Sequence, residues 1–277
     1  MLKQRVITAL VLLAVFLPAL FAPVAWPFGV VSLVLIGVAG WEWGRLNGAG
    51  PTAALAWGGA LVGVCAVGLW FNAPAQVPAA VWWVTGAFWV LGGAVALKAG
   101  VTGWPHLWRP ARLVLGWVLL GLSWLAMTTA REQGVVFLLS LLVLVWMADV
   151  AAYFGGRALG RRKLALSISP GKSWEGVYAG LVAVVVLAVV WAWLEQTAGS
   201  PASFMSLIQR HFGWSVLVLT ALYIAALSVL GDLLESLVKR SAGVKDSSRL
   251  LPGHGGVLDR IDALLPVFPA ALALASL

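Results

Sequence analysis

Charge is the scarcest property of this chain. Asp, Glu, Lys and Arg make up only 10% of its 277 residues, while 62% are hydrophobic, so it lacks the polar surface that a soluble domain of this length must present to water. The single cysteine, Cys65, lies inside an apolar run, which excludes a disulfide framework. Histidine is also rare. Of the three, only His254 falls in the polar C-terminal stretch, where no cysteine joins it, and this argues against a zinc site. Internal repeats and low-complexity tails are absent. There are only 10 acidic residues, yet Asp246, Asp259 and Asp262 crowd into the segment from Ser236 to Asp262, beside Lys239, Arg240, Lys245, Arg249, His254 and Arg260. In so apolar a chain this local charge is costly, and it points to chemistry with phosphate and metal.

The rest of the chain is built for hydrocarbon. Mean hydropathy is +0.98, Trp occurs 17 times, and apolar runs recur at about the ~20 residues needed to cross ~30 Å of lipid. Nine runs stand out, at 6–22, 26–43, 52–71, 77–97, 113–130, 135–155, 177–194, 214–234 and 259–277. The expected fold is therefore an all-α, polytopic integral membrane protein of about nine transmembrane helices. Residues 1–134 would carry five spans. Residues 135–277 would form a catalytic membrane region with four spans, a cytoplasmic loop at 157–176 and the polar stretch at 236–262. Lys3 and Arg5 before an apolar segment also fit a signal peptide, but no soluble mature domain follows, which favours a retained first span.

With the N-terminus inside, Lys3, Arg5, Arg45, Lys98, Arg109, Arg112, Arg157, Arg161, Arg162, Lys163, Lys172, Lys239, Arg240, Lys245, Arg249 and Arg260 fall on the cytoplasmic side. Only Arg131 and Arg210 remain outside. This is a strong positive-inside bias, and it places the C-terminus outside after nine spans. The net charge of +8 then serves topology and attraction to anionic lipid, with nucleic acid an unfavoured partner.

On this topology Asp149 lies about 12 Å inside the cytoplasmic end of the sixth span. Asp232 and Glu235 share a face at the end of the eighth, and Asp259 and Asp262 share one at the start of the ninth. Carboxylates gathered at headgroup depth need a partner, and Mg²⁺, which takes carboxylate, phosphate and water oxygens, is the expected one. The bland alternative is a helix-end salt bridge from Asp232 or Glu235 to Lys239.

The loop before the seventh run contains Gly171, Lys172 and Ser173, which imitate the end of a P-loop. The spacing would require Gly at Leu166, and no strand is expected before it. Read as a polar re-entrant or surface loop, it offers Ser167, Ser169 and Lys172 to phosphate oxygens, while Arg161, Arg162 and Lys163 enforce topology and Glu175 caps the following helix. In the last polar stretch, Gly253, His254, Gly255 and Gly256 precede a helix, so backbone amides at its positive end are expected to face an anionic phosphate.

Ser236, Lys239, Arg240, Lys245, Asp246, Ser248, Pro252, His254, Gly255, Gly256, Asp259, Arg260 and Asp262 fit the C-terminal signature of bacterial phosphatidate cytidylyltransferases (CDP-diacylglycerol synthases) at every fixed position. The segment from Asp149 to Gly176 is similar to that family's second recurring region. It departs at Gly171, where Lys is expected, at Ser173, where Thr is usual, and at Val150, where a small polar residue is common. The resemblance implies Mg²⁺-dependent condensation of CTP with phosphatidic acid to CDP-diacylglycerol and pyrophosphate, in the inner membrane among membrane lipids. A second cation and a homodimer are family-level expectations.

On this reading Asp232, Asp259, Lys239 and Arg260 are catalytic. Asp232, Asp259, Glu235, Asp246 and Asp262 hold metal, and Ser169, Lys172, Ser236, Arg240, Lys245, His254, Gly255 and Gly256 bind substrate. Two other classes use similar scaffolds. A CTP-dependent lipid-alcohol kinase should need a general base near the metal, and a transporter predicts charges at the bilayer midplane and related halves, whereas here charge gathers at one face.

Overall fold

Every apolar run becomes helix, because backbone N–H and C=O groups in hydrocarbon must find their partners within the segment. The structure is a computed structural model describing residues 2–200 and 202–277, the side chains of residues 2–5 excepted, so those of Lys3 and Arg5 lie outside it. In chain order the helices are α1 (Leu2–Phe21), α2 (Trp26–Leu46), α3 (Pro51–Trp70), α4 (Ala79–Gly103), α5 (Arg109–Glu132), α6 (Val135–Leu159), α7 (Trp174–Ala198), α8 (Phe204–Ser241), α9 (Leu258–Ile261) and α10 (Leu264–Ala275). Among the described residues seven helices, α2 to α8, are long and apolar enough to cross a membrane. Prolines at the first turns of α2, α3 and α5 start helices where no amide partner is lost.

Among the described residues the expected count of nine spans is not confirmed. The described apolar part of α1 is the shorter stretch Val6–Phe21, and the last run is broken into α9 and the 12-residue α10. At 1.5 Å per residue α10 covers only about 18 Å. The Asp262 carbonyl, however, packs so closely on Gly231 that a Cβ there would lie 2.4 Å away. Gly231 precedes Ser241, the end of α8, by about 15 Å of helix. The 242–262 segment therefore returns along α8 before α10 begins, and α10 has only the remaining depth to cover. It is sheathed by α4, α5 and α8, and every residue from Leu265 to Ala273 is buried.

Two buried clusters organise the bundle. One joins α6, α7, α8 and α10 through residues such as Leu141, Val184, Ala221 and Phe268. The other joins α2, α5 and α8 to the C-terminal loop through Ile36, Trp124, Leu237 and Leu258. Arg131, one of the two basic residues assigned outside, is buried at the end of α5 and donates to the Leu20 and Ala22 carbonyls at 3.0 and 2.6 Å. A cation that satisfies the last carbonyls of α1 has a structural reason to be there.

Candidate active site

The 157–176 loop, expected to be irregular, is a β-hairpin. Strand β1 (Lys163–Ala165) pairs antiparallel with β2 (Ser169–Ser173), Lys163 opposite Ser173. Ile168 at its turn is buried and its carbonyl accepts from Arg240 Nε at 3.3 Å, which ties the hairpin to α8. Glu175 does not cap its own helix. Ser173 does, its hydroxyl accepting from the Gly176 N–H. The Glu175 carboxylate instead accepts from the Arg161 and Arg162 amides and from Arg162 Nε at 3.2 Å, closing the base of the hairpin.

Glycines on α7 bring this hairpin to the membrane helices. A Cβ at Gly176 would stand 2.7 Å from the Ala152 carbonyl, and one at Gly180 2.9 Å from that of Ala148, so α6 and α7 touch backbone to backbone. Between them and α8 lies a cavity of about 430 Å³ that takes in Asp149, Arg157, Ser169, Lys172 and Asp232. The Lys172 ammonium pairs with Asp232, and the Ser236 hydroxyl donates to Asp232 Oδ1 at 3.3 Å. A mobile cation, a hydroxyl and two carboxylates in a space of this size suit a polyanionic nucleotide held with a metal.

A second cluster stands where α8 meets the C-terminal loop. Buried Glu235 pairs with Lys239, and Lys239 Nζ reaches Asp259 Oδ1 at 2.6 Å. Asp259 Oδ2 also accepts from the Ser247 N–H and hydroxyl, both at 3.0 Å, and from the Gly256 N–H at 2.7 Å. The salt bridge to Lys239 weighed from sequence is thus made by Glu235, while Asp232 pairs with Lys172.

Glu42 completes this cluster, and sequence reasoning missed it. It is fully buried on α2, and its carboxylate accepts from the Ser248 hydroxyl (2.5 Å) and Val257 N–H (3.0 Å) on one oxygen and from the Leu258 N–H (2.7 Å) on the other, which also lies 3.2 Å from the Ser247 hydroxyl, whose single proton it shares with Asp259. The available signal was an unpaired acid within an apolar run, which marks a functional position by its cost. Its partners lie more than 200 residues away, so no local pattern could name them.

Glu42 also corrects the reading of the glycine turn. The amides of Gly256, Val257 and Leu258 do not face open space: Asp259 and Glu42 occupy them. The positive end of a helix binds an anion here, and the anion is the protein's own carboxylate. Gly253 and Gly255, at φ 78° and 84°, let the turn close, with Leu251 N–H donating to Gly255 O and His254 N–H to Leu251 O. Arg260 staples the same turn, donating twice to the His254 carbonyl at 3.0 and 2.6 Å. Lys245 and Asp246 stand exposed on the loop.

Among the described residues, no three metal-ligating side chains converge closely enough to hold an ion, because Lys172 and Lys239 lie between the carboxylates. The donor set still fits a hard cation. Glu235 Oε1 is buried without a hydrogen-bond partner, and Asp259 lies across Lys239 from it. Crowded, underneutralised carboxylate oxygens without sulfur match Mg²⁺.

A phosphatidate cytidylyltransferase of Pseudomonas aeruginosa is 39% identical over 279 residues, covering 98% of this chain and 97% of its own. The Haemophilus influenzae protein of that name is 48% identical over 137 residues, 50% of this chain and 44% of its own. One from Brucella suis is 41% identical over 189 residues, 66% of this chain and 62% of its own. A family model described as the cytidylyltransferase family matches residues 3–277, and with similarity running nearly end to end through both clusters, the chain belongs to the cytidylyltransferase family.

Proposed function

We propose that this protein condenses CTP with phosphatidic acid to give CDP-diacylglycerol and pyrophosphate. The observation that carries the reading is the polar cavity in which Lys172 meets Asp232 beside Asp149, adjoined through α8 by the Glu235–Lys239–Asp259 cluster. An oxygen of the lipid phosphate attacks the α-phosphorus of CTP, the bond from that phosphorus to the β,γ-pyrophosphate breaks, and pyrophosphate leaves. Two anions must meet, so positioning and charge neutralisation do most of the work and no covalent protein intermediate is required. Lys172 and Lys239 supply cationic contacts, and Ser169 and Ser236 supply hydroxyls. Asp232, Glu235, Asp259 and Asp262, with Asp246 at the rim, are the residues that would hold Mg²⁺, which when bound screens phosphate charge and favours departure of pyrophosphate.

Incubating purified protein with phosphatidic acid and each labelled nucleoside triphosphate tests the reading. Lipid-linked label is expected from CTP, and its absence with CTP would sink the proposal. Lys172→Met should lower kcat/KM for CTP by about 10²–10³-fold, the usual cost of one preorganised electrostatic contact. Turnover within a few-fold of wild type would exclude Lys172 from phosphate binding.

The inner membrane is the proposed location, with the N-terminus and both clusters on the cytoplasmic side and the C-terminus outside. The support is the distribution of 16 of the 18 basic residues to one side. In sealed vesicles of known orientation, CTP and Mg²⁺ should support product formation only from the face bearing the hairpin. A reporter fused after Leu277 should be active outside the cytoplasm, whereas cytoplasmic activity would overturn the topology.

A further inference from the structure

Charge is not evenly neutralised in the cavity between α6, α7 and α8. Asp232 has the Lys172 ammonium and the Ser236 hydroxyl, and Arg157 Nη1 lies 3.5 Å from the Tyr153 hydroxyl. Asp149 lines the same space and is exposed, yet among the described residues it has no hydrogen-bond partner and no ion pair. A lone carboxylate on a membrane helix is costly, and such a group marks a site whose partner comes from outside the chain. That partner is not phosphate, which the carboxylate repels and Lys172 attracts. A nucleoside triphosphate has one end without charge, its base. The cavity walls are largely small and apolar, Ala148, Ala152, Gly180 and Ala225 among them, which suits a flat, uncharged ring. Cytosine carries an exocyclic amine, the donor from which Asp and Glu accept when they read this base. Uracil presents a carbonyl at that position, and an acceptor facing a carboxylate is repelled.

We propose that Asp149 selects the base of the nucleotide, its carboxylate accepting from the exocyclic amine of cytosine and excluding uracil, while the triphosphate lies toward Lys172 and Ser169. This inference rests on the function proposed above, and it names the residue that makes the reaction specific for CTP. The cavity is then divided by charge. Lys172 and Ser169 on β2 serve the phosphates, and Asp149 on α6 serves the neutral ring. The division also gives a reason why no lysine or arginine pairs with Asp149: a cation there would take the lone pairs that the amine needs. The ribose hydroxyls are donors as well, so the experiment separates base from sugar.

The test has two arms. The isosteric variant Asp149→Asn offers an N–H₂ to the uracil carbonyl and an oxygen to its ring N–H. The ratio of kcat/KM for CTP to that for UTP should therefore fall by about 10–100-fold, the discrimination that one base-edge pairing carries, and UTP should become a better substrate for the variant than for wild type. Asp149→Ala should lower the ratio without a gain on UTP. An equal fall on both nucleotides in both variants, with the ratio kept, overturns the proposal, whether or not the Mg²⁺ dependence shifts. A changed ratio of CTP to dCTP with the CTP to UTP ratio kept assigns the carboxylate to the ribose and overturns it as well. The second arm needs no turnover. In equilibrium dialysis of the purified protein with labelled CTP or UTP, with Mg²⁺ and without phosphatidic acid, wild type should prefer CTP and Asp149→Asn should lose that preference. Equal binding of the two nucleotides by wild type overturns the assignment. An Asp149-dependent preference for CTP in a protein that forms no lipid-linked product would overturn the proposed reaction and leave the base site standing. Product formation with a nucleotide ratio that Asp149 does not alter would do the reverse.

Discussion

Replacing Asp259 by Asn is expected to reduce turnover by about 10³-fold, the upper end of what loss of one preorganised electrostatic group costs. The carboxylate serves two demands at once. It faces Lys239 with Oδ1 at 2.6 Å, and it gathers the Ser247 N–H, Ser247 hydroxyl and Gly256 N–H on Oδ2. An amide keeps the volume but removes the charge, so it abolishes a candidate Mg²⁺ ligand and leaves Lys239 with only Glu235 as a counter-ion. It also replaces one acceptor oxygen by a donor that must point at Lys239 or at the loop amides. That substitution weakens hydrogen bonds to a charged group, each worth about 1.5–3 kcal/mol, and the C-terminal loop should loosen as well. The protein should still insert and purify, because the helices that cross the membrane do not depend on this contact. The measurement is steady-state turnover together with the Mg²⁺ dependence of the residual activity. A variant within a few-fold of wild type, with an unshifted Mg²⁺ requirement, would remove Asp259 from the site.

Glu42→Leu should be as damaging, through the loop and not through the substrates. It strips the Val257 and Leu258 amides of their acceptor in a buried position. Each unsatisfied group costs roughly 1–3 kcal/mol, and two approach the ~5–15 kcal/mol that holds an ordinary domain together. The Ser247 and Ser248 hydroxyls can reorient, but the backbone donors cannot. Glu42→Gln is the milder probe: one oxygen remains to accept, and its amide N–H₂ opposes one backbone N–H. Activity should fall severely in the Leu variant and by about 10²-fold in the Gln variant. Exposed Lys245 and Arg249 should become faster sites of tryptic cleavage in both, because the loop that carries them has lost its anchor on α2. Wild-type activity and unchanged cleavage in Glu42→Gln would show that the loop holds its shape without this carboxylate.

The composition and period of the sequence determined the membrane class and placed helix in every run, because hydrocarbon leaves the backbone no other way to satisfy its amides. The density of acids and bases at 236–262 marked a candidate site, since charge in so apolar a chain persists only where something offsets its cost. Partners were not legible. That Asp232 meets Lys172 across the hairpin while Glu235, three residues on, meets Lys239 and Asp259 depends on how α8 is rotated between α7 and the C-terminal loop. The break of the last run into α9 and α10 was also hidden, because Asp262, returning along α8 to Gly231, is set there by packing rather than by hydropathy. Glu42 shows the limit most clearly. As a residue it was a single acid in an apolar helix, and only the folded chain brings it to amides more than 200 positions away, where a buried carboxylate becomes the anion at a helix end that the sequence had reserved for substrate.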